Sequence, residues 1–346
     1  MEEECSFESN IVTIENLEET LKSIKPCPLC MRVTLKKFKP INQQVCIKTL
    51  DNNFAKCNCG KRPLDVVMAH VLKIINEHRH IEKPLTLKNG PLPLIKVLES
   101  EIEFPMLTKN SLILLDPNFN KEIANILINE VNEVFGVLKG NSKDLVGNLT
   151  VNHTKNNYEL LAGCDICCDI VKTPFGKIII NKRQHLVHIE FPLTIENKIL
   201  KLDNYFKSEF IDEEKIKNIS ILDGTAGSGS LGLYSLKYGF KKVFFNDINS
   251  DATELTRVNL QANGFDNKKS DDKNLKYYGD DFKIYNLSLE DFSDKFLNKE
   301  IVMDEKKDMN DDEIKFDYCI LDIYPQEDPD YFKEIAKKIA KNIILI

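Results

Sequence analysis

Four closely spaced glycines in the second half of the chain constrain its fold more than any other feature. A short apolar segment, Ile219–Leu222, ends at Asp223, and the glycines follow it. They are Gly224, Gly227, Gly229 and Gly232. A helical pattern of leucines comes next, so the sequence predicts a strand, a glycine-rich turn and a helix. The backbone of such a turn can pass close to a ligand and point the first amides of the helix at it, which favours nucleotide-like molecules.

A second acidic residue follows at the end of the next predicted strand. Val243, Phe244 and Phe245 form this strand, and Asp247 comes 24 residues after Asp223 (247 − 223). An acid about 20 residues beyond a glycine turn is placed to accept hydrogen bonds from ribose hydroxyls. The two strands therefore predict a nucleoside-containing ligand at their C-terminal ends. A helix packed on a strand through small residues, without a ligand, is the alternative.

Two classes of cofactor fit this arrangement, and the charge of Asp223 distinguishes them. The segment from Gly227 to Gly232 fits the G-x-G-x-x-G pattern of dinucleotide-binding proteins. Asp223, four residues before Gly227, would however repel a pyrophosphate and suit an ammonium group. The sequences DGTAGSGSLG and NDIN resemble motif I and the acidic loop of the class I S-adenosylmethionine-dependent methyltransferases. By that resemblance Asp223 and Gly227, with Gly229 in the same turn, would hold the methionine part of the cofactor, and Asp247 would hold the ribose.

The third predicted strand, Phe282–Leu287, ends at Ser288 and follows a charged loop at Asp266–Asp281. Class I methyltransferases often carry an acid at the end of this strand that binds the adenine amino group. The resemblance therefore assigns adenine binding to Ser288, or to Glu290 or Asp291 in its place.

The fourth predicted strand, Phe316–Leu321, leads into Asp322-Ile-Tyr-Pro325. In a doubly wound sheet the C-terminal ends of the strands line the ligand crevice. The tetrapeptide resembles the Asp/Asn-Pro-Pro-aromatic motif of amino-group methyltransferases. This resemblance implies that Asp322 holds the substrate nitrogen and that Tyr324 stacks on the base, with Pro325 completing the motif.

The segments NDINSDATEL and NLQANG extend the resemblance to the tRNA guanine-N2 dimethyltransferase family, with the tRNA guanine-N1 methyltransferases next. It covers residues 219–346. The expected fold is an α/β, Rossmann-like sheet of the class I methyltransferases. Methyltransferase folds normally add two strands after the fifth, which is predicted at Ile343–Ile346, so we expect a sheet without its last strands or a truncated reading frame.

Two close pairs of cysteines near the N-terminus have the spacing of metal ligands. One pair forms C-x-x-C and the other C-x-C-G, which suits a structural zinc ion held by two tight turns. The expected ligands are Cys27, Cys30, Cys57 and Cys59, with Cys46 or His70 as a replacement for one of them. Without the metal, this segment has little apolar material from which to build a core.

The basic residues are concentrated in the same part of the chain. Residues 22–96 hold 15 Lys and Arg against 4 Asp and Glu, a balance of +11 (15 − 4), although the whole chain has a net charge of −7. Such a segment is typical of nucleic-acid-binding proteins, and a lysine-rich solvated face is the alternative. The expected partner is RNA, and by the family resemblance tRNA.

The chain length of 346 residues favours two or three domains. We expect a basic, zinc-ribbon-like unit at 1–82, an α+β middle domain at 83–155, and a methyltransferase domain at 156–346. The last begins with a β-hairpin that turns at Thr173–Gly176. The N-terminus lacks the apolar segment of a signal peptide, and no apolar run is long enough to span a membrane, so a cytoplasmic protein is expected. Its cysteines, including Cys164, Cys167 and Cys168, are then expected to be metal ligands or thiols rather than disulfides.

These features lead to three hypotheses of function. The first is an S-adenosylmethionine-dependent methyltransferase that acts on RNA, at a base nitrogen of tRNA. The second is a methyltransferase for a protein or a small metabolite, in which the cysteine unit is only structural. The third is a protein that binds the cofactor or RNA without catalysis.

Overall fold

The computed structural model describes residues 5–79, 85–102, 104–147, 156–210, 216–303 and 315–346. The chain divides into two compact units. The first contains the described residues up to 147 with 156–169 and 182–189, and the second contains 170–181 and those from 190 to 346. The domain boundaries expected near 82 and 155 fall outside the described residues, so the three-part division stays a prediction. No described helix is both long and apolar enough to cross a membrane.

The first unit begins with short helices and long loops. Its first elements are α1 (Phe7–Asn10), α2 (Leu17–Ile24), β1 (Arg62–Pro63) and α3 (Leu64–Arg79). Helix α3 is buried on two sides, because its apolar residues form two neighbouring stripes. One stripe, which includes Val66 and Leu72, packs in a small cluster with the loop residues Ile41 and Leu50. The other, which includes Val67, belongs to the larger core of this unit.

The remaining part of the first unit is built mainly of strands. Its elements are β2 (Leu92–Ile95), β3 (Val97–Glu99), β4 (Met106–Leu107), β5 (Leu112–Leu115), α4 (Lys121–Glu130), β6 (Val134–Lys139) and β7 (Glu159–Gly163). Four strands pair in the order β2-β5-β6-β7, and only β5 and β6 are parallel. Helix α4 connects these two strands. It begins where the Asn120 side chain accepts a hydrogen bond from the Ile123 amide at 2.9 Å.

The predicted hairpin consists of β8 (Ile166–Thr173) and β9 (Gly176–Arg183). Its turn is closed by the Thr173 hydroxyl, which donates to the carbonyl of Gly176 at 2.6 Å, and Gly176 has a φ of +93°. The second strand ends at Arg183, where a 3₁₀ turn follows. Strand β3 joins the hairpin in a three-stranded sheet of order β3-β8-β9.

One expectation about the cysteines is wrong. Cys164 forms a disulfide with Cys5, and the two Cα atoms lie 5.2 Å apart. The two cysteines are separated by 159 residues, so their spacing in the sequence does not indicate that they pair. Cys167 and Cys168 are buried thiols, as expected.

The second unit is an α/β sheet with helices on both faces. Its elements are α5 (Pro192–Glu209), β10 (Ser220–Asp223), α6 (Ser230–Tyr238), β11 (Lys242–Asn246), α7 (Ser250–Ala262), β12 (Lys268–Lys269), β13 (Leu275–Tyr278), β14 (Phe282–Tyr285), α8 (Leu289–Leu297), β15 (Phe316–Leu321), α9 (Pro329–Ile339) and β16 (Ala340–Leu345). Successive strand residues point to opposite faces. Ile221 and Phe245 therefore join the cluster that contains residues of α5 and α6, whereas Leu222 and Phe244 join that of α8 and α9.

The strands pair in the order β12-β13-β14-β11-β10-β15-β16. The five strands from β14 to β16 are parallel, and their chain order reverses at β10, which makes the sheet doubly wound and Rossmann-like, as predicted. The stretch expected to be a charged loop, Asp266–Asp281, instead contains β12 and β13, which extend the sheet with antiparallel strands. Among the described residues, the opposite edge of the sheet is β16.

Candidate active site

Three acidic residues follow adjacent parallel strands of the second unit. Asp223 ends β10, Asp247 comes directly after β11, and Asp322 comes directly after β15. Strand β10 lies between the other two. Because the carboxyl ends of parallel strands meet at one edge of a sheet, the three carboxylates converge there. The charges of Asp322 and Asp247 are near enough to disfavour ionisation of Asp223.

Asp223 is 1% exposed, and only one of its two carboxylate oxygens has a hydrogen-bond partner among the described residues. Its Oδ2 accepts a hydrogen bond from the amide of Gly232 at 2.9 Å, whereas Oδ1 is buried without a partner among the described residues. Burial raises the pKa of Asp223 to about 7, against the effect of the Gly232 amide, and the two neighbouring carboxylates act in the same direction as burial. A buried acceptor without a protein partner calls for an explanation, and a cationic ligand donor provides one.

The two glycines of the turn have different physical roles. Both have positive φ angles, +55° at Gly227 and +82° at Gly229. A side chain at Gly229 would meet Thr256, whose Cγ2 lies 2.9 Å from the Cβ position. At Gly227 a Cβ would meet no atom within 4 Å. Gly229 is therefore required for packing against α7, whereas Gly227 leaves open space beside the carboxylates.

Asp247 joins the glycine turn to the next strand. Its Oδ2 accepts from the amide of Gly227 at 2.8 Å, and its Oδ1 accepts from the amide of Asn249 at 2.8 Å. A carboxylate has about four acceptor sites, so both oxygens can also accept from ribose hydroxyls. The side chain of Asn286, which the sequence analysis missed, donates to the carbonyls of Asp247 and Ile248 at 2.9 Å. The predicted strand Phe282–Leu287 included Asn286, whereas β14 ends at Tyr285 and Asn286 directly follows it.

The residues expected to bind adenine have partners of their own. Ser288 caps α8: its Oγ accepts from the amide of Asp291 at 2.9 Å and lies 2.8 Å from Oδ2 of that residue. Glu290 is exposed and hydrogen-bonds to Tyr331, which raises the pKa of the Tyr331 phenol to about 12. Adenine binding by Ser288 or Glu290 stays a prediction.

Asp322 is held by its backbone and by an ion-pair chain. Its amide donates to the hydroxyl oxygen of Thr225 at 2.9 Å. Its Oδ2 lies 2.6 Å from the Nζ of Lys198 on α5, and the same Nζ lies 2.7 Å from Oε1 of Glu190. The sequence analysis missed Lys198 and Glu190. Lys198 and Asp322 are 124 residues apart, so no local sequence pattern links them.

Burial and the ion pairs shift the pKa values of Asp322 and Lys198. Burial raises the pKa of Asp322 and the ammonium of Lys198 opposes this, with a net increase. Burial lowers the pKa of Lys198, but Glu190 and Asp322 outweigh it and hold the pKa above its ordinary value. Lys198 is therefore a permanent cation. Within the described part of the chain, Oδ1 of Asp322 makes no hydrogen bond and is left to accept one from a ligand.

Tyr324 and Pro325 form the turn after Asp322. The amide of Glu327 donates to the carbonyl of Tyr324 at 2.9 Å, and Pro325 is exposed. Burial raises the pKa of the half-buried Tyr324 well above its usual range, and the negative charge of Asp247 adds to this. Tyr324 is thus a neutral phenol, suited to stacking rather than to accepting a proton.

The four predicted metal ligands in the first unit come together. The Sγ atoms of Cys27 and Cys57 lie 3.6 Å apart, as do those of Cys27 and Cys30, and those of Cys30 and Cys59 lie 3.5 Å apart. A tetrahedral zinc ion with Zn–S bonds of about 2.3 Å requires sulfur atoms about 3.8 Å apart. These cysteines therefore fit a zinc ion.

Each cysteine pair sits on a tight turn. The amide of Cys30 donates to the carbonyl of Cys27 at 3.0 Å, and that of Gly60 donates to the carbonyl of Cys57 at 2.8 Å. Neither proposed replacement belongs to this cluster of described residues. Cys46 is an exposed thiol, and His70 is buried in α3.

No protein-family model matches the sequence, and no curated protein matches it. Solved structures that are similar to this chain include the following three. The tRNA m1G37 methyltransferase of M. jannaschii is 15% identical, with a TM-score of 0.37 over 78% of this chain and 62% of that one. A complex of aTrm5 with tRNALeu is 16% identical, with a TM-score of 0.37 over 78% and 62%. The Pyrococcus abyssi tRNA (uracil-54, C5)-methyltransferase with S-adenosyl-L-homocysteine is 16% identical, with a TM-score of 0.37 over 76% and 52%.

This chain thus spans less than two thirds of the length of each of these proteins. The two that are named by activity are tRNA methyltransferases. At TM-scores of 0.37 the likenesses carry no further conclusion.

Proposed function

We propose that this chain is an S-adenosylmethionine-dependent methyltransferase that acts on RNA, at a base nitrogen of tRNA. The observation that carries the proposal is the convergence of Asp223, Asp247 and Asp322 beside the open glycine turn at Gly227. Oδ1 of Asp223 is buried there without a partner among the described residues.

The charge of this edge selects between the two cofactor classes. A pyrophosphate bound at the glycine turn would lie beside Asp223 and Asp247. Its negative charges and those of the carboxylates would repel each other. S-adenosylmethionine instead brings an ammonium group and a positively charged sulfur. Asp223 would hold the ammonium, the turn at Gly227 would receive the methionine part, and Asp247 would accept from the ribose hydroxyls.

The chain's own residues would place the substrate. The cofactor supplies a methyl group that its positive sulfur has already activated. Asp322 would accept a hydrogen bond from the substrate nitrogen at Oδ1, while Lys198 holds Oδ2 and keeps the carboxylate in one orientation. Tyr324 would stack on the base. Alignment of the reacting groups is then the main contribution of the protein.

The first unit would bind the RNA and a structural zinc ion. The four sulfur atoms have the spacing that zinc requires, and the excess of lysine and arginine supplies contacts for phosphates. Zinc would hold the two cysteine turns together in a part of the chain with a small apolar cluster.

Methyl transfer from labelled S-adenosylmethionine to bulk tRNA tests the proposal, with mass spectrometry of the digested nucleosides. We expect one methylated nucleoside with the wild type. Asp322→Asn should retain cofactor and tRNA binding and lose at least about 100-fold in transfer rate, because the substrate nitrogen is no longer aligned. Lys241→Gln, a change at an exposed ion pair in the same unit, is the control.

Label that appears in protein or in a small metabolite, and not in RNA, would favour the second hypothesis. Cofactor binding without transfer to any of these acceptors would favour the third.

A further inference from the structure

One aromatic ring of the first unit is strongly exposed among positive charges. Phe38 is 79% exposed, and its neighbours Lys36, Lys37 and Lys39 are exposed as well. Residues 20–50 contain seven Lys and Arg and no Asp or Glu. An anionic partner therefore meets no repulsion from this stretch of the chain.

The side chain of Gln44 makes three hydrogen bonds to the backbone of the turn that carries Phe38. Oε1 of Gln44 accepts from the amide of Lys36 at 2.7 Å, and its Nε2 donates to the carbonyls of Lys36 and Lys39 at 3.1 and 2.9 Å. The amide of Lys39 also donates to the carbonyl of Lys36 at 3.1 Å. These bonds fix the backbone of the turn and leave its four side chains in solvent.

Two further bonds anchor this turn to the rest of the unit. The amide of Leu35 donates to Oδ2 of Asp65 on α3 at 2.7 Å. The amide of Lys88 donates to the carbonyl of Lys37 at 3.0 Å. The exposed ring therefore stands on a rigid support, so little backbone entropy is lost when a partner binds.

An exposed ring between lysines matches the chemistry of an unpaired nucleotide. Bases stack on aromatic side chains when they are not paired in a helix, and lysines contact the adjacent phosphates. Within a double helix the bases are stacked on one another, so only the two terminal base pairs expose a face.

We propose that the turn Lys36–Lys39 binds a single-stranded segment of RNA, with Phe38 stacked on one base and the lysines on the flanking phosphates. The inference rests on the proposed function, since it names the part of the RNA substrate that the first unit recognises. A single strand held at this turn would add to the affinity without taking part in methyl transfer.

Binding of labelled 12-nucleotide single-stranded RNA, and of a blunt duplex of the same length, tests the proposal in the full-length, zinc-loaded protein. Phe38→Leu should weaken single-strand binding by about 5- to 100-fold, the range measured for base stacking, and leave duplex binding unchanged. Phe38→Tyr should keep most of the affinity. Phe175→Leu, at another exposed aromatic, is the matched control and should bind like the wild type.

Two other variants test separately the contribution of a lysine charge and that of the fixed backbone of the turn. Lys37→Gln should reduce the slope of log K against log salt by about 0.7, the value for one phosphate contact in a single strand. Gln44→Ala should weaken single-strand binding while thermal unfolding shows that the unit stays folded.

Equal affinity of Phe38→Leu and the wild type for single strands would overturn the proposal. So would equal losses on single strand and duplex, or a preference for anionic phosphatidylserine vesicles over RNA. Methyl transfer is measured in parallel. A Phe38-dependent affinity in a chain that transfers no methyl supports this inference and rejects the proposed function, and transfer without any effect of Phe38 does the reverse.

Discussion

Asp223 is buried, and it is also the residue proposed to bind the ammonium group of the cofactor. Its raised pKa means that the folded chain holds this proton more tightly than the unfolded chain does. The contribution of Asp223 to stability is therefore fully present below the pKa of the unfolded chain, about 4, and is lost as the pH rises through about 7. A cationic ligand favours the ionised form and should displace the proton.

The first prediction follows from this linkage. At pH 6, binding of S-adenosylmethionine should release close to one proton, because Asp223 is protonated before binding and ionised after it. Calorimetry in two buffers with different ionisation enthalpies measures the released proton. Asp223→Asn should bind more weakly and release none. An identical proton release in both proteins would show that another group titrates.

Asp247 gives a second prediction at the same scale. Asp247→Ala should weaken S-adenosylmethionine binding by about 1 to 3 kcal/mol, through loss of charged hydrogen bonds to the ribose. Asp247→Asn should lose less, because the amide oxygen can still accept from the Gly227 backbone. Calorimetric titration measures both, with Asp271→Ala as a control at an exposed acid of the same unit. Binding of NAD in preference to S-adenosylmethionine would reject the cofactor assignment.

At the scale of elements, the two cysteine turns act as one site only if a metal joins them. Four thiolates at this spacing would repel each other without a cation between them. Neither turn contains a helix or strand that could hold its partner in place.

We expect about one zinc ion per chain, measured by elemental analysis of protein purified under reducing conditions. Cys27→Ser should lose most of the metal and destabilise the first unit, since one of four ligands is gone. Cys46→Ser removes an exposed thiol outside the cluster and should keep the metal. Equal zinc content in the two variants would contradict the assignment of ligands.

At the scale of the whole molecule, the two units have separate apolar cores. The metal ligands lie in the first unit, and the three carboxylates lie in the second. A ligand that binds one unit adds its binding free energy to the folded state of that unit.

Calorimetric unfolding of the whole chain should therefore show two transitions with different responses. S-adenosylmethionine at 100 times its Kd should stabilise the second unit by about 2.7 kcal/mol, and a zinc chelator should destabilise the first. Each addition should leave the other transition nearly unchanged. A single transition that responds to both additions would show that the units unfold together.

The sequence by itself determined the local parts of the second unit. The apolar segments before Asp223, Asp247 and Asp322 are strands, as predicted. Short apolar runs that are bounded by turn residues fit strands that are buried on both faces. The sequence also predicted the two cysteine turns, whose C-x-x-C and C-x-C-G spacings suit the ligands of a tetrahedral ion. It also predicted the hairpin turn, because Thr173-Pro-Phe-Gly176 contains a proline and a glycine.

Only the tertiary structure decided which distant groups meet. Lys198 and Glu190 reach Asp322 through the packing of α5 on the sheet, and Cys5 reaches Cys164 across 159 residues. The strands β12 and β13 lie in a stretch of mixed charge, where pairing with β14 outweighs the weak local preference. Local patterns follow from the backbone and from neighbouring side chains, whereas these contacts depend on how buried surfaces fit together over long separations in the chain.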